Sequence, residues 1–505
     1  MARELINKER EKDILRDKER GLSDEEIGKK YNVSFKYIER LITKEKGVNI
    51  SRLNKKKRIR RFEPENFQEE KTSVWSFKNR GNWATHSGDY RGNWSPYIPR
   101  NVILKYSSRG DLVLDYFCGA GTTAIECKLL GRRCIAIDIN DKAIELAKEN
   151  LNFNIPPSLF PDFEVYEPEL IVGDARDLSF LKDNSVDLIC SHPPYANIIH
   201  YTDGKEGDLS FLDVEDYLSE MQKVAKESFR VLKPGKKCAI LIGDIRREKY
   251  IVPLGFKLID VYLKEGFELY ELVIKRQHNC KTTGFWYEKS IKQNFLLLAH
   301  EYLAIFEKPL KKEKENEKQT IQNNFKIIPK ELKLTPELPE KFETTSVWIL
   351  PSDDFDKILN SNVLLRYCRE SYLVLDFSIN QNKFSGEEIE EYEKLDLLII
   401  KSSFLSGVHV SKDMVEKFLD ELRKLVYQKL PFVKDGGYLV VQVRDVRVGR
   451  YIEPIAKRVI DTLSEKSLKI KEIVIAVPDV SGYSENDRDF LSIIHQYLLI
   501  YEVKR

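Results

Sequence analysis

Short apolar runs alternate with longer amphipathic stretches between residues 62 and 308. The apolar runs have the length of β-strands: DLVLDYF, RCIAIDI, ELIVGD, VDLICS and KCAILIGDI. Strands of this kind, separated by helical stretches, are typical of α/β sheets, so the pattern predicts an α/β domain. Residues 309–333 break the alternation, because they are polar and charged, and they predict a linker.

The first 61 residues show a different pattern. Ser23 and Glu26 form a candidate capping box, and Ile27 and Tyr31 then share one face of a short helix. A break follows, and a second helix is predicted at about 35–44. Its apolar face would consist of Tyr37, Ile38 and Leu41. Two such helices resemble a helix-turn-helix, whose second helix enters a major groove of DNA; an ordinary helical hairpin is the alternative.

Charge favours a nucleic-acid role for this end of the chain. The whole chain has 83 Lys and Arg residues against 81 Asp and Glu residues, a net charge of only +2. Residues 1–61 hold 20 of the basic and 11 of the acidic residues, so they carry +9 and the remainder carries −7. The run KKKRIRR at 55–61 is either a solvated linker or a phosphate contact. The near-neutral total therefore does not exclude DNA binding.

The chain repeats itself after the linker. Five segments recur in the same order, which predicts one domain duplicated at 62–308 and 334–505. The matching pairs are TSVW at 72–75 and 345–348, NVILKYSSRGDLVLDYF at 101–117 and NVLLRYCRESYLVLDFS at 362–378, VDLIC at 186–190 and LDLLI at 395–399, GDIRREKYIVP at 243–253 and RDVRVGRYIEP at 444–454, and NFLLLAHEYLAIFEK at 294–308 and DFLSIIHQYLLIYEV at 489–503. Asp244 with Arg246 recurs as Asp445 with Arg447, and we expect a structural ion pair there.

In the first copy, successive predicted strands end in polar residues. LVLDYFCGAGTTAIEC predicts a strand, a turn and a helix, and Gly119 and Gly121 would let a ligand approach the backbone closely. The next strand ends in Asp138, where an acid binds ribose hydroxyls in nucleotide-binding α/β folds, and the following strand presents Asp174. Each acid alone is as well explained by a helix cap, but together they predict a ligand pocket at the carboxyl edge of the sheet.

The fourth strand ends in SHPPYANIIHY at 191–201. Pro193 and Pro194 fix a stiff turn directly after a buried strand. Such a turn can hold a backbone carbonyl and the Ser191 hydroxyl as hydrogen-bond acceptors, and Tyr195 offers a flat ring for stacking. Acceptors beside a stacking ring suit a planar group with an amino substituent, such as a flipped base. A structural proline turn with a core tyrosine is the alternative.

DYFCGAGTT followed by SHPPY resembles the S-adenosylmethionine-dependent amino-methyltransferases of DNA, and the resemblance covers residues 72–308. That family has a D-P-F-x-G-S-G-T-T glycine motif and a [DNS]-P-P-[YF] catalytic motif, so Tyr116 and Ala120 are mild departures. The segment HSGDYRGNWSPYIPRNVI at 86–103 resembles the family's methionine-side cofactor motif. The resemblance implies a Rossmann-like methyltransferase sheet flanked by helices.

The same resemblance implies S-adenosylmethionine as the cofactor. Its pocket would be shaped by Asp115, Gly119, Gly121, Thr122 and Thr123. Asp138 would hold the ribose hydroxyls, and Asp174 the adenine amino group. The catalytic residues would be Ser191, Pro193, Pro194 and Tyr195. Ser191 and the Pro193 region would accept hydrogen bonds from the target amine, whose nitrogen attacks the methyl sulfonium without a covalent enzyme intermediate.

The second copy has lost both motifs. DYFCGAGTT corresponds to DFSINQNKF at 376–384, and SHPPY corresponds to IKSSF at 400–404. Its apolar strands survive, so we expect a methyltransferase-like fold without cofactor binding, and one active site in an intrachain pseudo-dimer. The second copy could grip DNA, recognise sequence or brace the first copy.

The predicted function is that of a site-specific DNA methyltransferase from a restriction–modification or related defence system. It would act on double-stranded DNA as a monomer, with a cognate restriction endonuclease as a partner. The serine of the catalytic motif favours cytosine N4; adenine N6, an RNA amino group and an inactive DNA-binding regulator are the alternatives. The segment 247–294 is a candidate for base recognition, with core packing as the alternative.

The seven cysteines have no C-x-x-C spacing, so we expect no metal site. No Pro-Cys dipeptide is present for the thiolate chemistry of cytosine C5 methylation, and Cys118 and Cys190 are expected to be small buried residues. The amino terminus lacks the apolar stretch of a signal peptide, and no run approaches the ~18 apolar residues of a membrane span. The expected location is the cytoplasm.

Overall fold

The structure is a computed structural model. It describes the chain except for residues 1, 21, 35–36, 39–40, 42–58, 89, 157–163, 279–282, 311–325, 328–329, 333, 335–342, 378, 381–393, 403–409 and 480–489. The described residues form a small helical segment at the amino terminus and two α/β sheets that follow one another along the chain.

The first sheet has eight strands in the order β1-β9-β10-β6-β5-β2-β3-β4. Their bounds are β1 Val74–Ser76, β2 Leu112–Asp115, β3 Arg133–Asp138, β4 Glu169–Val172, β5 Val186–Ser191, β6 Leu232–Ile242, β9 Glu268–Arg276 and β10 His300–Glu307. A hairpin, β7 Ile245–Arg247 with β8 Tyr250–Val252, lies outside the sheet. Strands β4, β3, β2, β5 and β6 are mutually parallel, so their carboxyl ends meet at one edge.

Apolar residues cover both faces of this sheet, which explains the unbroken apolar runs of its strands. Val113 and Leu188 pack into one core cluster, whereas the next residues along each strand, Leu114 and Ile189, pack into another. This alternation follows from the two-residue period of a strand. The helices associated with this half are α3 Tyr97–Tyr106, α4 Thr122–Leu130, α5 Asp141–Leu151, α6 Val214–Val231, α7 Leu254–Lys264 and α8 Thr283–Lys292. The observed architecture is the Rossmann-like methyltransferase fold that was predicted.

The amino-terminal segment contains α1 Ala2–Glu19 and α2 Asp24–Tyr31. The predicted capping box is present, because the Ser23 side chain accepts from the Glu26 amide and the Glu26 side chain accepts from the Ser23 amide. The apolar residues of this segment form a separate small core. Its buried members are Ile14, Ile27, Ile38 and Leu41. Much of the predicted second helix and the basic residues 55–58 lie outside the described residues, so the helix-turn-helix stays a prediction.

The second sheet has seven strands in the order β12-β14-β16-β17-β21-β20-β13. Their bounds are β12 Lys330–Glu331, β13 Val347–Pro351, β14 Tyr372–Asp376, β16 Leu395–Lys401, β17 Val433–Val443, β20 Leu468–Asp479 and β21 Gln496–Val503, and the helices are α9 Phe355–Tyr367, α10 Lys412–Lys429 and α11 Ile455–Thr462. Two short pairs stand apart: β11 Lys326–Ile327 with β15 Ile379–Asn380, and β18 Val446–Val448 with β19 Tyr451–Glu453. Strands β13, β14, β16, β17, β20 and β21 repeat the order of β1, β2, β5, β6, β9 and β10, which supports the duplication.

The second sheet differs where the first sheet carries its glycine turn. In the first copy, α4, β3, α5 and β4 lie between Asp115 and Val186. In the second copy only the interval from Asp376 to Leu395 is available, and β12 pairs antiparallel with β14 at the position that β3 occupies beside β2. Strands β11 and β12 come from the predicted linker, so part of that segment contributes to the second half.

The two halves face each other through matching contacts. The Ser73 hydroxyl lies 2.8 Å from His495 Nδ1, and in the same way the Ser346 hydroxyl lies 2.8 Å from His300 Nδ1. Two isolated β-bridges, Thr72 with Ser492 and Leu297 with Thr345, repeat this relation at the backbone. Each of these contacts is thus repeated by the corresponding residues with the two halves exchanged, as in the interface of a two-fold symmetric dimer.

The predicted ion pair between Asp244 and Arg246 is wrong. Asp244 instead accepts a hydrogen bond from the Gly255 amide (3.0 Å), while Arg246 donates to Glu472 of the other half (2.5 Å). The second copy has the equivalent contact, because Arg447 donates to Glu271 of the first half (2.5 Å). The sequence could not reveal this, because each arginine reaches a strand more than 170 residues away along the chain.

Candidate active site

A cleft opens at the carboxyl edge of the first sheet. Four of the predicted site residues line it: Gly119, Asp138, Asp174 and Pro194. The others lie beside the cleft rather than in its lining: Asp115, Gly121, Thr122, Thr123, Ser191, Pro193 and Tyr195. Residues from the ends of β2, β3, β4 and β5 thus meet in one place, as parallel strands require.

The glycine turn between β2 and α4 forms one wall of the cleft. Gly119 has a φ of +50°, and a Cβ there would lie 3.0 Å from the ring of Tyr90. Gly121 has a φ of +82°, and a Cβ there would lie 3.1 Å from Ala147 of α5. Both positions therefore need glycine for backbone conformation and for close approach. Thr122 and Thr123 begin α4 and are buried.

Asp138 holds this turn against the neighbouring strand. Its carboxylate accepts the Gly119 amide at 2.8 Å and the Asn140 amide at 2.9 Å. Burial raises the pKa of Asp138 to about 6. Each carboxylate oxygen has a further lone pair, so Asp138 can still accept hydrogen bonds from ligand hydroxyls in the cleft.

Asp115 and Ser191 connect the glycine turn to the proline turn. The Ser191 hydroxyl donates to Asp115 Oδ1 at 2.6 Å, and both side chains accept from the Phe117 amide, at 3.1 Å and 3.2 Å. Burial raises the pKa of Asp115 to about 6. The predicted role of Ser191 was to accept from a target amine. Here its proton is directed to Asp115, so the hydroxyl joins the ends of β2 and β5.

Asp174 lines the cleft and forms an ion pair with Arg176. Its carboxylate accepts from the backbone amide and the Nε of Arg176, both at 2.9 Å. Arg176 also contacts Glu220 of α6, and these two carboxylates raise its pKa. Asp174 is one-third exposed and can still accept from a ligand amino group.

The proline turn after β5 presents Pro194 and His192 to the cleft. His192 stacks on Trp94 with the ring centres 5.6 Å apart, and burial lowers its pKa to about 4, so it is neutral at pH 7. Tyr195 is half-buried, and its hydroxyl donates to Glu301 Oε1 at 2.7 Å. His192, for which the sequence predicted no role, therefore forms part of the wall of the cleft.

Several other lining residues were not predicted individually. Tyr90, Gly92, Asn93 and Trp94 belong to the segment 86–103, which the family resemblance had marked as a cofactor motif. Tyr201 stacks on Tyr90 across the cleft, with ring centres 6.3 Å apart. Asn140 and Asp208 add polar groups. Asn140 follows Asp138 so closely that the strand-end pattern could have indicated it, but Tyr201 and Asp208 lie on a long connection without such a signal.

Other features of the described residues bear on the predicted chemistry. Cys118 and Cys190 are buried as predicted, and burial raises the pKa of both thiols, which disfavours a thiolate nucleophile. No group of three or more metal-ligating side chains was found among the residues with described positions. Within the same part of the chain, no helix combines the length and apolar character needed to cross a membrane.

The cleft fits S-adenosylmethionine by its own chemistry. The bare Gly119 backbone leaves a cradle that a Cβ would fill, the Asp138 carboxylate suits ribose hydroxyls, and Tyr90 and Tyr201 supply flat apolar walls. Together with the parallel sheet and its one antiparallel strand β10, this geometry belongs to the Rossmann-like, S-adenosylmethionine-dependent methyltransferases.

Comparison with known proteins shows to which family of methyltransferases the chain belongs. The family model described as DNA methylase, for N6 and N4 enzymes, matches residues 6–149 and 186–396, and a general methyltransferase-domain model matches 107–254. The first match covers more than half of the chain, and the chain belongs to that DNA methylase family. Similar curated proteins include a tRNA (guanine(10)-N2)-dimethyltransferase of Methanothermobacter thermautotrophicus, 36% identical over 21% of this chain and 29% of that protein.

Two type II methyltransferases are also similar. M.MthZI of Methanothermobacter thermautotrophicus is 29% identical over 27% of this chain and 43% of its own length. M.HpaI of Haemophilus parainfluenzae is 37% identical over 16% of this chain and 26% of its own length. The chain therefore spans less than half of the length of each of these relatives.

Proposed function

We propose that this protein transfers a methyl group from S-adenosylmethionine to an exocyclic amino group of a base in double-stranded DNA. The observation that carries the proposal is the Ser191–Asp115 hydrogen bond of 2.6 Å. It joins the glycine turn, where the cofactor would bind, to the proline turn, where the target amine would bind. One cleft can therefore bring both reactants together, which is the main requirement for a direct transfer.

Bound S-adenosylmethionine would supply an electrophilic methyl group on a sulfonium centre. Asp138 would accept from its ribose hydroxyls, and Asp174 from its adenine amino group. The backbone carbonyl beside Pro193 and the remaining lone pair of Ser191 would accept from the target amine and orient its nitrogen. Neutral His192 and Trp94 exclude water from this wall, and exclusion of water favours the reaction of a neutral amine.

Cytosine N4 is the target atom that we propose, because the catalytic motif begins with serine. Adenine N6 is the second candidate for the atom. The context would be a restriction–modification or related defence system, in which a restriction endonuclease recognises the same sequence. The two type II methyltransferases among the similar proteins support this context.

Each part of the chain has a role in the proposed reaction. Residues 1–61 would bind duplex DNA, residues 62–308 would form the catalytic domain, and residues 334–505 a degenerate copy joined by the linker 309–333. Segment 247–294 would contribute to base recognition. The enzyme would act in the cytoplasm as a monomer, because its second half already occupies the dimer-like interface.

RNA is a second candidate substrate, favoured by one observation. The tRNA (guanine(10)-N2)-dimethyltransferase is 36% identical over 108 residues. The DNA methylase family match covers a far larger share of the chain, so DNA remains the proposed substrate.

The test is methyl transfer from tritiated S-adenosylmethionine to unmethylated duplex DNA and to unmodified tRNA, followed by mass spectrometry of the nucleosides. We expect labelled N4-methylcytosine from DNA. N6-methyladenine would change the target atom, and label in tRNA alone would replace DNA as the substrate. Labelled 5-methylcytosine, or no label with either nucleic acid, would overturn the proposal.

A further inference from the structure

A buried charged pair stands directly behind the proline turn. Lys275 of β9 and Glu301 of β10 are cross-strand partners, and Lys275 Nζ lies 2.8 Å from Glu301 Oε2. The other oxygen, Glu301 Oε1, accepts from the Tyr195 hydroxyl at 2.7 Å. Only 9% of the Glu301 side chain and 17% of the Lys275 side chain are exposed. Removing two charges from water is costly, so such a pair calls for a specific explanation.

The second half of the chain provides an internal comparison. In β20 and β21, which correspond to β9 and β10, Ala476 replaces Lys275 and Gln496 replaces Glu301, in the same cross-strand register. Gln496 accepts from Gln442 Nε2 of β17 at 2.7 Å, so the second copy forms the same strand pairing without charges at these two positions. A charged pair is therefore not needed to build this part of the fold.

Other buried polar residues nearby are kept in both copies. His300 and His495 make the same contact to serine, and Asp244 and Asp445 accept equivalent amides, from Gly255 and from Ala456. These residues serve the common scaffold. The Lys–Glu pair differs from them, because it is present only in the copy that has the glycine turn and the cleft.

Two further differences between the copies lie beside the Lys275–Glu301 pair. Tyr195 corresponds to Phe404, which has no hydroxyl to donate and lies outside the described residues. Gly243 corresponds to Arg444, and a Cβ at Gly243 would lie 3.0 Å from the Tyr195 ring and 3.3 Å from Glu301. A glycine at this position leaves space for the tyrosine to reach the glutamate.

We propose that Glu301, held by Lys275, is a positioning residue that fixes Tyr195 in the wall of the catalytic turn. This inference rests on the proposed methyl transfer. A tyrosine held through its hydroxyl cannot swing out of the turn, so its ring would stay where it can stack on the target base. Neither Glu301 nor Lys275 lines the cleft, and Tyr195 connects Glu301 to it, because the Tyr195 hydroxyl also lies 3.2 Å from Nε2 of the lining residue His192.

The experiment is a double-mutant cycle on the full-length chain. The variants are Glu301→Gln, Tyr195→Phe and their combination, and a fourth, Lys275→Ala with Glu301→Gln, imports the neutral pair of the second half. The matched control is Glu271→Gln, which weakens a buried cross-half pair with Arg447 away from the cleft. Single-turnover methyl transfer at saturating cofactor and DNA is measured for each, together with the cofactor Kd and the Tm.

We expect Glu301→Gln and Tyr195→Phe each to slow transfer by about tenfold, since each removes the strong hydrogen bond between the Tyr195 hydroxyl and a charged carboxylate. Glutamine offers only a neutral acceptor, and phenylalanine has no donor. The combined variant should be no slower than the slower single variant, because both changes act on the same contact. The cofactor Kd should stay within about twofold, and Glu271→Gln should lower the Tm without slowing transfer. The variant with Lys275→Ala and Glu301→Gln has the strand pairing that Ala476 and Gln496 form in the second half. Its methyl transfer should also be slow.

Three results would overturn the inference: transfer by Glu301→Gln at the wild-type rate, multiplication of the two single effects in the combined variant, or equal slowing by Glu271→Gln. Absence of transfer by the wild-type protein would instead overturn the proposed function. In that case the contact between Tyr195 and Glu301 is tested by the ¹⁹F spectrum of protein labelled with 3-fluorotyrosine. The resonance that disappears in Tyr195→Phe should move in Glu301→Gln, and an unmoved resonance would overturn the inference.

Discussion

Removal of the Ser191 hydroxyl tests the contact that joins the two motifs. Ser191 is fully buried, donates to Asp115 at 2.6 Å and accepts from the Phe117 amide at 3.2 Å. Ser191→Ala keeps the strand but deletes both hydrogen bonds. Phe117 begins the backbone that leads to Gly119, so the glycine turn loses one of the hydrogen bonds that hold it. We therefore expect weaker cofactor binding as well as slower transfer.

The magnitude follows from the kind of hydrogen bond that is lost. A hydrogen bond to a charged group is worth about 1.5–3 kcal/mol. At about 1.36 kcal/mol for each factor of ten, this corresponds to roughly 10- to 150-fold, shared between the cofactor Kd and the single-turnover rate. The lost donor also raises the pKa of Asp115 above its present value of about 6. The defect should therefore be larger at pH 6.5, where more of the carboxylate is protonated, than at pH 8.5.

The assay combines isothermal titration with S-adenosylmethionine, single-turnover transfer and thermal unfolding. Ser361→Ala is the matched control, because Ser361 is a buried serine of α9 in the second half, away from the cleft, and its hydroxyl donates to a backbone carbonyl, Lys357 O, at 2.9 Å. It should leave the cofactor Kd unchanged. An unchanged cofactor Kd in Ser191→Ala, with a loss of rate alone, would refute the reasoning. Ser191 would then act on the target amine alone and would not hold the glycine turn.

Three further predictions concern the same half of the chain and its counterpart. Gly119→Ala should weaken cofactor binding by at least about tenfold in titration, because a Cβ would lie 3.0 Å from the Tyr90 ring at a φ that costs about 1–2 kcal/mol; unchanged affinity would show that the cradle is not used. Because burial raises the pKa of Asp138 to about 6, the cofactor Kd should rise as the pH falls from 8 to 5, and a flat profile would contradict its role as a carboxylate acceptor. Burial also raises the pKa of Asp244 and of Asp445 to about 7, so the folded state favours their protonated form and stability is lost as the pH rises from about 4 to 7. The Tm of Asp244→Asn, minus that of the wild type, should accordingly increase between pH 5 and pH 8, and a constant difference would refute the shift.

The sequence predicted those parts of the site that are built from neighbouring residues. Gly119 and Gly121 follow a strand directly, and a turn with positive φ is a local property of the backbone. Asp138 and Asp174 were found because parallel strands place their carboxyl ends at one edge, whatever the details of packing. The duplication was visible for a similar reason, since the repeated strands keep their apolar pattern.

Contacts between distant segments could not be predicted in this way. The arginines of the two hairpins pair across the interface rather than with the aspartates beside them, and the Tyr195–Glu301 contact joins residues 106 positions apart. Each member of such a contact looks like an ordinary polar residue in its own segment. Its partner is decided by which strands and helices pack together.

The sequence alone determined the class of fold, its duplication and the loss of both motifs from the second copy, because strand periodicity and turn chemistry are local. Only the tertiary structure decided that Ser191 holds Asp115, that the second half fills a dimer-like interface, and that a buried Lys275–Glu301 pair supports Tyr195. Burial is the physical reason. It removes the competing hydrogen bonds of water, so the few partners that packing brings within reach determine what each polar group does.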